Sequence, residues 1–305
     1  MRLDHAVEDY LKTRRRLGFE LRGAQGHLKS FVHFLQTEHV DHVSTELAMR
    51  WATQPTDVQP LTWAQRLGVV RRFAAWQHMN DPHTEVPPDG LLFPRYQRKP
   101  RYLYSDEEIQ RLVQAARELQ SPGGLRAQTY STFFGLLAAT GLRMSEALQL
   151  DCEDVNLTEG ILAIRHTKFG KSRFVPLHPS TTAALDAYAT VRKRLFPSLR
   201  ITAFFVSERA ARIGASGVRA NFSKVARAIG LPMTGTPRPR LHDMRHRFAV
   251  RTLIDWYRQG LDVRRQLPTL STYLGHTNAA ATYWYLEAAP ELLQVVAQRR
   301  EEARS

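Results

Sequence analysis

Thr140-Gly141-Leu142-Arg143-Met144-Ser145-Glu146-Ala147-Leu148 sets an arginine and a glutamate three residues apart near the middle of a 305-residue chain. The apolar period around it predicts a helix from about Ala127 to Leu150. On that helix Arg143 and Glu146 share a face. A guanidinium is a planar fork that fits the nonbridging oxygens of a phosphodiester. A carboxylate one turn away can orient that fork or form an ordinary intrahelix ion pair. Leu150-Asp151-Cys152-Glu153-Asp154-Val155 extends the stretch.

Downstream, His242-Asp243-Met244-Arg245-His246-Arg247-Phe248-Ala249 repeats the theme. His242 and Arg245 also share a helix face. Chance alone gives roughly one such His-x-x-Arg pair in a chain of this composition, so the pair means little by itself. Leu274-Gly275-His276 adds a second histidine, and Tyr285 follows nine positions later. Together these types have a chemistry. Two arginines clamp a phosphodiester, two histidines move protons or bind its oxygens, and a tyrosine attacks phosphorus.

Between the boxes the period changes. Ile161 to His166 and Arg173 to Leu177 read as strands around the turn Lys168-Phe169-Gly170-Lys171. The chain has seven lysines, and two fall in this turn. Either can hold a phosphate or protonate a leaving oxygen. Tyr273, Tyr283 and Tyr285 are the candidate nucleophiles. At 100° per residue, an unbroken helix would bring Tyr283 closer than Tyr285 to the face of His276. Gly275 is a helix terminator, however, and places His276 at a junction.

In this order and spacing the boxes resemble the tyrosine recombinase family, the phage-integrase-like enzymes that cut and rejoin DNA. The resemblance covers the C-terminal two-thirds of the chain. It implies a mainly α fold with a small β-sheet hairpin (α+β). It also implies a helical core-binding (SAM-like) domain ahead of a catalytic domain. By the resemblance, Arg143, Lys168, His242, Arg245, His276 and Tyr285 are catalytic, with Tyr285 the nucleophile and Lys168 the acid. Glu146 supports them. The family often has a histidine just after its tyrosine, where this chain has Leu286 and Glu287.

The first 95 residues carry four apolar stripes at helical spacing. They are Leu3, Val7, Tyr10 and Leu11; Leu28, Phe31, Val32 and Leu35; Leu47 and Trp51; and Trp63, Leu67, Val70, Phe73 and Trp76. From Asn80 to Pro100 six residues, Pro82, Pro87, Pro88, Gly90, Pro94 and Pro100, break helical continuity. Ser105-Asp106-Glu107-Glu108 is a capping box that starts a new helix. Further helices are expected near Ser180, Ser216 and Leu241, with Gly260 as a C-cap, and a last one from Pro290 to about Arg300. The expected domains are residues 1–95, a linker 96–104 and residues 105–305. Arg95, Arg98, Lys99, Arg101, Lys171 and Arg173 are expected on DNA phosphates.

Composition agrees with that partner. The net charge is +14 and the pI about 10.3, a balance that favours polyanions through counterion release. One cysteine, Cys152, excludes an intrachain disulfide and fits a reducing cytoplasm. No apolar run is long enough to span a membrane, and the first residues lack a signal-peptide core.

The expected function is a site-specific recombinase or integrase. It would act as a homotetramer on two double-stranded DNA sites, at the nucleoid, for a mobile element or a chromosome. It would proceed through a 3′-phosphotyrosine, with no metal, cofactor or ATP. A type IB-like topoisomerase and a non-cleaving DNA-binding regulator are the alternatives.

Overall fold

The computed structural model describes residues 3–92, 101–121, 123–165, 172–198, 201–276 and 282. The chain divides into two compact units, Met1–Arg98 and Lys99–Ser305.

In the first unit each apolar stripe becomes a helix: α1 Leu3–Arg16, α2 Arg22–Thr37, α3 Thr45–Thr53 and α4 Pro60–Gln77. Phe31, Trp51 and Phe73 are fully buried where the stripes meet, beside Tyr10, Leu28 and Val70. Ser44 starts α3 by accepting from the Leu47 N–H. Pro60 occupies the first turn of α4, where its missing N–H costs nothing. Arg71 has a structural task. It donates to the carbonyls of Pro87 and Pro88 and pairs with Asp89, which ties the proline-rich segment back onto α4.

The second unit starts at the capping box. Ser105 accepts from Glu108 N–H, and Glu108 accepts from Ser105 N–H. The elements that follow are α5 Asp106–Arg117, α6 Leu125–Thr140, α7 Met144–Gln149, β1 Val155–Asn156, β2 Ile161–Ile164 and β3 Arg173–Pro176. Then come α8 Pro179–Leu195, α9 Ala215–Ala228, α10 Leu241–Arg258 and α11 Val263–Leu274. Helix α6 is buried along nearly its whole length and packs on α5, α8 and α10. The strands form an antiparallel sheet in the order β1-β2-β3, with Ile161 opposite Pro176 and Ile164 opposite Arg173.

The structure departs from the sequence expectation in two places. The helix expected over 127–150 is broken at Gly141, which has φ +61° and ends α6 in the left-handed conformation. A Cβ there would lie 2.7 Å from the Phe248 ring, so both backbone and packing require glycine. Of helix α11 the sequence marks only the end, at Gly275, and neither its start nor its length. It starts at Asp262, whose carboxylate accepts from the Arg264 and Arg265 N–H groups, and it runs through Pro268. Gly260, at φ +81°, lies one residue past the C-cap of α10, and Gly275, at φ +66°, ends α11, as expected of both. The last expected helix, 290–300, lies outside the described residues.

Candidate active site

The site forms where four chain ends meet: the break between α6 and α7, the start of β3, the first turns of α10 and the C-terminal end of α11. Arg143 sits at the N-cap of α7. Its backbone N–H donates to Glu146 Oε2 (3.0 Å), its Nη1 to Glu146 Oε1 (2.7 Å) and its Nη2 to the Gly275 carbonyl (3.0 Å). Two of the five guanidinium N–H groups are used in this way. The side chain is 32% exposed, so the remaining donors can reach a phosphoryl oxygen.

Arg245, on the buried face of α10, is 2% exposed. Its Nη1 donates to the Gly141 carbonyl (2.8 Å) and its Nη2 to the Leu274 carbonyl (2.5 Å). The glycine that breaks the long helix therefore also aims the second arginine. Phe248, one turn further along α10, stacks on Tyr273 with centroids 5.3 Å apart and locks α10 against α11.

His242 lies one turn before Arg245. Its side chain is exposed. The desolvation it still undergoes, followed by the charges of Arg101, Arg245, Arg143 and Arg240, holds it down to about 4. His276 follows Gly275, with Nδ1 2.8 Å from the Thr282 hydroxyl oxygen. Burial and then Arg245, Arg143, Arg173 and His242 hold it down to about 4 as well. Both rings are neutral at pH 7 and can accept a proton or a hydrogen bond.

Glu146 is 7% exposed and does more than face Arg143. Arg173, the first residue of β3, meets it with both terminal nitrogens, at 3.1 and 2.9 Å. Burial by itself would raise the Glu146 carboxyl; Arg173 and then Arg143 outweigh it and hold the group below its ordinary value. Arg173 was expected on DNA, but its guanidinium points inward at Glu146 and the Tyr273 carbonyl. The sequence carries a signal for this. Val175 is a core residue, and strand side chains alternate, so Arg173 must share the inward face.

Arg101 faces Asp243 at 3.8 Å and belongs to the cationic surroundings of His242. Tyr273, weighed as a nucleophile, is a packing residue whose burial pushes its hydroxyl up to about 12. His246 is buried on α10; burial and then Arg101 and His242 bring it down to about 4. Lys168, Lys171, Tyr283, Tyr285, Arg95, Arg98 and Lys99 lie outside the described residues. Among the described residues no group of three or more His, Cys, Asp or Glu side chains could hold a metal ion. No described helix is long and apolar enough to cross a membrane.

Residues 102–291 match the model of the phage integrase family. The chain belongs to that family. It is 44% identical to the integrase/recombinase y4rB of Sinorhizobium fredii over 97% of its own length and 96% of that protein. It is 30% identical to the tyrosine recombinase XerC of Pelotomaculum thermopropionicum, over 76% of this chain and 74% of that one. The fold matches the XerH site-specific recombinase, solved on a palindromic difH substrate, with a TM-score of 0.70 at 16% identity. That match covers 97% of this chain and 84% of XerH. It also matches a fragment of the Tn1549 transposon integrase, solved with transposon right end DNA, with a TM-score of 0.67 at 14% identity, covering 100% of this chain and 100% of that fragment. As a phage integrase family member, the chain is a site-specific recombinase, an enzyme that cleaves and rejoins DNA. Neither a topoisomerase nor a non-cleaving regulator is favoured by these relatives.

Proposed function

We propose that this recombinase cleaves each strand by in-line attack of Tyr285 on the scissile phosphorus, leaving a 3′-phosphotyrosine and a free 5′-hydroxyl. The observation that carries this reading is the convergence of Arg143, Arg245, His242 and His276 at the end of α11, with Tyr285 nine residues beyond His276. As the nucleophile adds, negative charge grows on the nonbridging oxygens. Preorganised guanidinium groups lower the energy of that state. Neutral His242 and His276 bind those oxygens or take the tyrosine proton. Lys168, which lies between β2 and β3 in sequence, gives a proton to the departing 5′ oxygen. The phosphotyrosine keeps the energy of the broken diester, so rejoining is the same step reversed and needs no nucleotide.

We assign double-stranded DNA as the partner and a homotetramer on two DNA sites as the working assembly, located at the nucleoid. The DNA-bound XerH and Tn1549 integrase structures support the first assignment. The λ integrase dimer solved on a core site supports an assembly of several subunits. A mobile element is the favoured host, since relatives carry the names integrase/recombinase and transposon integrase. Residues 1–95 act as the core-binding domain and 105–305 as the catalytic domain. Arg95, Arg98, Lys99 and Lys171 contact phosphates.

Covalent capture tests the chemistry. Wild type should form a denaturant-resistant protein–DNA adduct with nicked duplexes drawn from a randomised library. Tyr285→Phe should form none while binding the same DNA, because only the attacking hydroxyl is gone. An adduct that survives Tyr285→Phe and disappears in Tyr283→Phe refutes the assignment.

A further inference from the structure

Three consecutive carbonyls at the end of α11 each accept from a different arginine. Tyr273 O takes Arg173 Nε (2.7 Å), Leu274 O takes Arg245 Nη2 (2.5 Å) and Gly275 O takes Arg143 Nη2 (3.0 Å). A helix leaves its last four carbonyls without helical partners, and they carry the negative end of its dipole. Here the carbonyls of Ser271 and Thr272 are closed by backbone N–H groups of Gly275 and His276. The next three hold the arginines.

Two of these arginines form the proposed phosphate clamp. The third differs from them. Arg173 is 10% exposed, and all three of its nitrogens bond to protein: Nε to Tyr273 O, Nη1 and Nη2 to the two oxygens of Glu146. Nearly buried and held by a bidentate carboxylate pair, it is turned toward protein, whereas Arg143 still faces solvent. We propose that Arg173 is a positioning residue for the cleavage step. It holds Glu146 so that Arg143 keeps both its direction and its charge. This inference rests on the phosphotyrosine mechanism proposed above.

Glu146 with Arg143 alone is a neutral pair, with its cation largely cancelled before any phosphate arrives. Adding Arg173 leaves the three-residue cluster one positive charge in excess, beside Arg245. Stabilisation of a phosphorane needs that excess, fixed in place before the reaction. Glu146 binds Arg143 through both backbone and side chain, so the position of Glu146 sets the position of Arg143. Arg173 pins Glu146 from the far side and ties it to the end of α11. Glycine at 275 leaves room for this contact, since a Cβ there would lie 2.7 Å from Arg173 Nη1. Arg173 also opens the strand that follows Lys168 in sequence, so one side chain joins the strand after the acid to the helix before the nucleophile.

The experiment uses the full chain as wild type, Arg173→Ala, Arg173→Lys, Arg143→Ala and the double variant Arg143→Ala/Arg173→Ala. A nicked duplex selected by wild-type capture from a randomised library is the substrate. Single-turnover cleavage and filter binding are measured on the same DNA, with melting temperature as a folding control. Arg173→Ala should slow cleavage about 100-fold, the scale of a misplacement of about 1 Å, with DNA affinity near wild type. Arg173→Lys should stay slow, because lysine lacks the planar fork. The double variant should be no slower than Arg143→Ala, because one residue acts through the other. Should Arg173→Ala fail to fold, Arg173→Lys decides: slow cleavage with intact binding supports the proposal, and a wild-type rate overturns it. Defects that multiply in the double variant, or loss of affinity in step with rate, also overturn it. If wild type captures DNA and both Arg173 variants cut at full rate, this inference alone falls. If wild type captures nothing, the phosphotyrosine reading falls and the inference falls with it.

Discussion

Replacing Gly141 by alanine should damage fold and site together, and the structure sets the size of the effect. Gly141 ends α6 at φ +61°. An L-residue in that conformation costs about 1–2 kcal/mol. The new Cβ would lie 2.7 Å from Cδ1 and 3.0 Å from Cγ of Phe248. Phe248 cannot swing aside freely, because its ring stacks on Tyr273. Overpacking of this kind costs about 1–3 kcal/mol. Alanine also restricts the unfolded chain, which returns about 0.4–1 kcal/mol. The net loss should be about 2–4 kcal/mol, or roughly 5–15 °C in melting temperature for a unit of this size. Urea and thermal denaturation of wild type, Gly141→Ala, Phe248→Ala and the double variant separate the two costs. The double variant should show a coupling of about 1 kcal/mol or more, since the clash exists only when both side chains are present. Cleavage should also fall, because the Gly141 carbonyl that aims Arg245 must move. A Gly141→Ala protein within about 0.5 kcal/mol of wild type, or an additive cycle, refutes the argument.

Lys168→Ala should slow cleavage far more than Lys171→Ala. A 5′-bridging sulfur, which leaves without a proton, should rescue Lys168→Ala selectively; equal defects without rescue would make Lys168 a phosphate contact. Cleavage should proceed in EDTA and without nucleotide, and activity lost on chelation and restored by magnesium or zinc would contradict an arginine-based mechanism. His242, His246 and His276 all have folded values of about 4, below the ordinary histidine value. Between those limits the unfolded chain binds more protons, so stability should be full above about pH 6.5 and fall progressively toward pH 4; a denaturation midpoint that stays flat over that window rules this out.

How much of this was legible depends on whether local or distant atoms decide each feature. The first four helices and the start of α5 were readable because apolar spacing and the Ser105/Glu108 capping box are local. The break at Gly141 was not. The apolar period runs straight through it, and the ring on α10 that leaves no room for a Cβ there is more than a hundred residues away. Helix α11 was legible only at its end, Gly275; Pro268 inside it runs against helical propensity. Strand β1, two residues long, is too short to show alternation. Arg143 and Arg245 stood out as motif residues, but the carbonyls that hold them did not, because backbone acceptors leave no mark in a sequence. Arg173 reads as a phosphate contact for a related reason. A basic residue beside a lysine turn suggests a phosphate, and only the folded chain brings Glu146 to it.

The choice of partners for these arginines has a physical logic. A carboxylate fixes a guanidinium firmly but cancels its charge. A carbonyl fixes its direction through a hydrogen bond and leaves the charge intact. Arg245 donates to two carbonyls, those of Gly141 and Leu274. Arg143 has one carbonyl and one carboxylate, and that carboxylate is shared with Arg173. The site therefore stays electropositive while its donors are held in place. The low histidine values reflect the same field, since burial and the arginines together disfavour a proton on either ring. A phosphodiester bound between the arginines would cancel part of that field. It would raise the affinity of His242 and His276 for a proton at the moment the tyrosine must lose one. Arrival of substrate, and not a change in the protein's own groups, would then make these histidines competent bases.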